Sequence, residues 1–136
     1  MSQSKYGIDI TLKAGAAYDT STALYHVGYV SAANTWTLVN TNTCWPKFGG
    51  VLQNDPKINQ AAQCRIAGTT KLYMNDTCTA GDVIICNTAG AGDDFTATTA
   101  TVTSNWLFLG VANEASAATG TVIEVILRPM YGTYAS

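Results

Sequence analysis

Apolar and polar residues alternate with a period of two along much of this chain. In Tyr6–Lys13 (YGIDITLK), Ile8, Ile10 and Leu12 alternate with Asp9, Thr11 and Lys13, as in a half-buried β-strand. AQCRIAG (62–68) sets Cys64 and Ile66 against Gln63 and Arg65. TVIEVILR (121–128) gathers Ile123, Val125 and Leu127 opposite Glu124 and Arg128. DVIIC and WLFLGV are apolar more continuously, which suits central strands buried on both faces. ALYHVGYV, TWTLVN and KLYMN complete the expected strands.

Turn chemistry separates these runs. Asn54-Asp55-Pro56 predicts a turn, Ala80-Gly81-Asp82 a strand start, and Ala89–Asp94 (AGAGDD) a loop that opens a biased Ala/Thr/Gly stretch. That stretch, 90–104, is expected to be an exposed loop with a strand-like return. Ala118-Thr119-Gly120 precedes the last strand, which Pro129 is expected to end because proline has no N–H for the ladder. Helix signals are weak: NEASAATG from Asn113 has a capping residue but no apolar stripe, and INQAAQ (58–63) is long enough for one turn. Strand starts spaced roughly ten residues apart predict an all-β fold, a compact sandwich or barrel of short antiparallel strands with Gly/Pro-rich turns. The expected organisation is an N-terminal arm (1–7), one β domain (8–128) and a C-terminal tail (129–136), the ends fraying alone and ordering against a neighbour.

Charge narrows the functional classes. The chain has 136 residues, net charge −2 and only 12% charged residues, with its seven basic residues scattered from Lys5 to Arg128. Nucleic acid and anionic membranes both require clustered Lys and Arg, so neither is an expected partner. A surface covered by Thr, Ser, Asn, Gln and Ala instead suits a protein partly covered in an assembly. The opening residues show no apolar signal segment and the apolar runs are too short to cross a bilayer as helices, so synthesis in the cytoplasm is expected.

The candidate chemical groups are sparse. Cys44, Cys64, Cys78 and Cys86 contain no C-x-x-C pair, and the only histidine is His26, which disfavours a zinc site. Buried free thiols are the default in a reducing compartment, with disulfides as the alternative. His26 lies in an apolar, aromatic run without a nucleophile motif, so a packed histidine is preferred to a general base working with Asp19 or Asp9. Asp93-Asp94 lacks the further oxygen ligands of a calcium loop and reads as a pair of solvated carboxylates. The sequence therefore assigns no catalytic residue, no cofactor and no metal ligand.

The ordered short elements carry a resemblance. GGVLQNDPKINQAAQCRIAGTTKLYM (49–74), TAGDVIICNTAG and FLGVANEASAATGTVIEVIL follow one another across about residues 48 to 128. Gly50–Pro56, Arg65–Lys71, Gly81-Asp82, Gly110–Ala112 and Gly120–Leu127 match the segments that mark small phage capsid decoration, or cement, proteins, and the chain resembles that family. The four cysteines, the three tryptophans and the tail RPMYGTYAS depart from its pattern. The resemblance implies a non-catalytic virion protein on the capsid exterior that binds the major capsid protein and joins capsomers, as a homo-oligomer such as a trimer. The alternative is a carbohydrate- or ligand-binding β module using Trp36, Trp45 and Trp106 with Tyr18, Tyr25 and Tyr29. Trp106 reads as core and Trp45 as the aromatic best placed for exposure.

Overall fold

The alternating runs become strands in a computed structural model that describes residues 7–95 and 105–133. The expectations for residues 1–6, 96–104 and 134–136 lie outside the described residues. In chain order the strands are β1 (Gly7–Ala14), β2 (Val27–Ala32), β3 (Thr35–Leu38), β4 (Phe48–Leu52) and β5 (Ala61–Tyr73). They continue with β6 (Val83–Cys86), β7 (Gly92–Asp94), β8 (Asn105–Ala112) and β9 (Val122–Thr133). A short 3-10 segment, Asn42–Lys47, joins β3 to β4. The expected all-β class is borne out.

The long strand β5 organises the molecule. Its first half pairs with β1 on one edge and β4 on the other; its second half pairs with β9. Pairing runs β1-β3-β2-β4-β5 and returns to β1, with β1 and β3 parallel at Lys13–Thr35 and Ala14–Trp36. A second circuit runs β5-β9-β8-β6-β7 and returns to the end of β5 through the bridge Met74–Gly92. Two apolar clusters accompany the circuits. The smaller gathers Ala14, Tyr18, Trp36, Leu52, Ala62 and Cys64 from the first. The larger gathers Leu72, Ile84, Cys86, Leu107, Leu109, Ile123, Val125 and Leu127 from the second, with Val27 and Val51 from the first. The two halves of the 13-residue β5 serve different clusters, Ala62 and Cys64 the smaller and Leu72 the larger.

Bulges decide which side chains face outward. Ile84 and Ile85, adjacent on β6, pair with Gly110 and Phe108 on β8, so β8 holds one extra residue, Leu109. On β9 the same step spans Leu127 to Met130 and holds two, Arg128 and Pro129. Pro129 therefore does not end β9, as the sequence reading expected. It lies in a bulge that requires no N–H from it, and Met130–Thr133 continue to pair with β8. The tail expected from residue 129 is strand as far as Thr133, and Gly7, assigned to the arm, already belongs to β1.

One further expectation needs correction, and the two weak helix signals form no helix. Ala89–Asp94 is not all loop, because Gly92–Asp94 pairs with Cys86–Ile84 as β7. INQAAQ forms no helical turn; Ala61–Gln63 opens β5. NEASAATG is a turn-rich connection held by Ser116, which bridges Cys78 and donates from Oγ to the carbonyls of Asp76 and Ala118 at 3.0 and 3.1 Å. Without an apolar stripe a helix there would have nothing to bury.

Candidate functional site: an apolar sheet face and a neutral cleft

The outward face of β6, β8 and β9 carries two cross-strand apolar rows. Directly opposed residues in antiparallel strands share a face. One row is Val83, Val111 and Ile126; the other is Ile85, Phe108 and Met130. Val83 and Ile126 are more than a third exposed and Met130 is 61% exposed, whereas Ile85 is buried. Phe95 packs edge-on against Phe108 with ring centroids 5.3 Å apart. The face is thus anchored at Ile85 and Phe108 and open along Val83, Ile126 and Met130. The sequence pattern of β9 placed Ile126 opposite the core, but the neighbours that turn it into a patch follow only from pairing.

A second feature lies where the 3-10 segment meets the ends of β8 and β9. Asn42, Thr43, Trp45, Pro46, Asn105 and Tyr131 line an open cleft of about 320 Å3. Thr41 caps the 3-10 segment by accepting from the Thr43 N–H at 3.2 Å. Trp45 is fixed by donating from Nε1 to the Asn87 carbonyl at 3.2 Å and by stacking on Trp106 at 5.4 Å. It is only 5% exposed, so the ring expected to be the freest aromatic is instead a wall. Tyr131, which the sequence placed in a tail, is the more exposed aromatic of the lining, 43% as a residue. Asn105 accepts from the Thr133 hydroxyl through Oδ1 at 2.7 Å, leaving its Nδ2 unbonded among the described residues.

The remaining aromatics of the sugar-platform reading are held elsewhere. Trp36 is fully buried, donates to the Gly50 carbonyl at 3.1 Å and meets Tyr18 edge-on at 5.1 Å. Tyr18 in turn accepts from the Leu38 N–H at 3.0 Å. Tyr25 and Tyr29 are half-buried and do not line the cleft. Trp106 is half-buried; its indole N–H is the one buried side-chain donor without a partner among the described residues.

His26 is a packed histidine. It is buried, bonded through Nδ1 to the Leu24 carbonyl at 3.1 Å, and stacked on Tyr73 with centroids 4.5 Å apart. Burial pulls its pKa below the ordinary 6.5, against the two backbone hydrogen bonds that favour the charged form. No hydrogen bond joins it to Asp9 or Asp19. Asp9 is instead paired with Arg65, whose Nη2 donates to its Oδ2 at 3.3 Å.

The four cysteines are free, buried thiols. Burial pushes Cys64 up to about 12 and Cys86 higher still, which leaves neither as a thiolate near neutral pH. Asp93 and Asp94 are not solvated loop carboxylates: Asp94 is buried, and half-buried Asp93 accepts from Asn75 at 3.4 Å with its pKa raised by desolvation. No group of three His, Cys, Asp or Glu side chains is placed to hold a metal ion among the described residues. No helix among them is long and apolar enough to cross a membrane.

No known family profile matches the chain, and no curated protein matches it.

Proposed function

We propose that the chain is a non-catalytic structural protein that binds the exterior of an assembled phage capsid and stabilises it by joining neighbouring subunits of the major capsid protein. The observation that carries this reading is the outward apolar face of β6, β8 and β9, with Val83, Ile126 and Met130 exposed on a rigidly paired sheet. Such a face exposed on a chain with so little charge is best explained by a protein partner. The resemblance over residues 48 to 128 supports the major capsid protein as that partner, and self-association, as a trimer or another symmetric form, belongs to the same proposal.

The stabilising logic is mass action. A ligand that binds the closed shell and not free capsomers shifts the equilibrium toward the shell by RT ln(1 + c/Kd) per site, where c is its free concentration. The test is co-sedimentation with heads assembled without this chain. Saturable binding that raises the heads' melting temperature, and that Ile126→Asp with Met130→Asp removes while the free protein stays folded, is the expected result. Absence of binding by the wild-type chain contradicts the proposal.

A further inference from the structure

We infer that the cleft between the 3-10 segment and the ends of β8 and β9 is a binding site for an uncharged sugar ring, a second binding function independent of shell attachment. Its six lining residues include no charge: Asn42, Thr43, Trp45, Pro46, Asn105 and Tyr131. A nucleotide or a sugar acid would bring an anionic group for which this lining holds no cation, so its charge gains nothing here.

What the lining does offer matches a pyranose. A sugar ring presents an apolar C–H face and a rim of hydroxyls that both donate and accept. Tyr131 lines the cleft and is 43% exposed as a residue, the only half-open aromatic among the lining residues. The amide of Asn42 makes no hydrogen bond among the described residues, and Asn105 has spent only its oxygen, on Thr133. An aromatic platform flanked by two amides with unspent donors supplies stacking and paired hydrogen bonds together.

The supporting wall is rigid. Trp45 is held on Trp106 and by Asn87, so ligand binding need not order it. The volume of about 320 Å3 stands near the small end of ligand pockets and fits one or two rings rather than a long chain. The site is open, so an affinity near a Kd of about 1 mM is expected for a monosaccharide.

The experiment is a titration of the full chain with glucose, galactose, mannose, N-acetylglucosamine and, as the charged comparison, N-acetylneuraminic acid, followed by 15N–1H NMR. The expected result is a saturable shift of Asn42, Thr43, Asn105 and Tyr131 signals with at least one neutral sugar. Tyr131→Ala should weaken that binding by about tenfold, the scale of one lost ring contact. Asn42→Ala, an exposed and unbonded position that leaves the fold untouched, should weaken it less. No saturable shift with any neutral sugar, shifts confined to residues outside the cleft, tightest binding to the sugar acid, or unchanged affinity in both variants would overturn the inference. Each of these outcomes is independent of whether the chain binds capsids.

Discussion

His26 and Gly28 show how single residues set the stability of this fold. His26 is kept neutral by burial, so the folded chain binds its proton less readily than the unfolded chain. The stability associated with neutral His26 is fully present above the unfolded value of 6.5 and is lost as pH falls through the depressed folded value. Urea melts should therefore show stability declining as pH drops below 6.5, and His26→Gln should flatten that decline; an unchanged pH dependence in the variant contradicts the assignment. At Gly28, a Cβ would collide with the indole of buried Trp36. Gly28→Ala should cost about 1–3 kcal/mol by overpacking, read as a lower denaturation midpoint. The aromatic reading went astray at this scale. Trp45 beside Pro46 reads as loop-like, and its contacts with Asn87 and with Trp106, 42 and 61 residues later in the chain, make it a wall.

The period-two runs of β5 and β9 are legible as strands because each buries one face and wets the other, whereas β1, read from the same alternation as half-buried, is a strand that leaves Ile8 60% and Ile10 36% exposed. What alternation could not supply was register. AQCRIAG and KLYMN read as two strands, whereas they are the two halves of β5, divided by a change of partners at Gly68, which pairs with Gly7 and with Leu127. Pro129 was read by the rule that proline ends a ladder, and the bulge that exempts it is a property of three strands together. Because Met130–Thr133 belong to β9, deleting residues 130–136 should lower stability by roughly 1–3 kcal/mol, the sum of a few cross-strand pairs. A thermal melt identical to that of the full chain would contradict this pairing. The cysteines belong to the same scale, one each in the 3-10 segment, β5, the β5–β6 connection and β6, and all are buried. Iodoacetamide should label none readily in the native protein and all four after denaturation, as read by mass spectrometry.

At the scale of the molecule, two closed circuits of strands sharing β5 give a rigid body whose open surface is largely uncharged. The all-β class was visible from sequence; the apolar face was not, because its two rows draw on β6, β8 and β9, which lie as far apart as Val83 and Met130 in the chain. An interface built on such a face should respond weakly to salt, since few charges are present to be screened. Attachment to heads should therefore survive a rise from low to moderate ionic strength, and loss by orders of magnitude would indicate a charge-driven contact instead.

The most direct test of the central claim is a single-particle reconstruction of phage heads saturated with this chain. Density for this β fold is expected outside the shell, with Val83, Ile126 and Met130 directed at the major capsid protein or at a neighbouring copy that contacts it. Heads that carry no such density after incubation with excess protein, or density in which this face is turned to solvent, would contradict it.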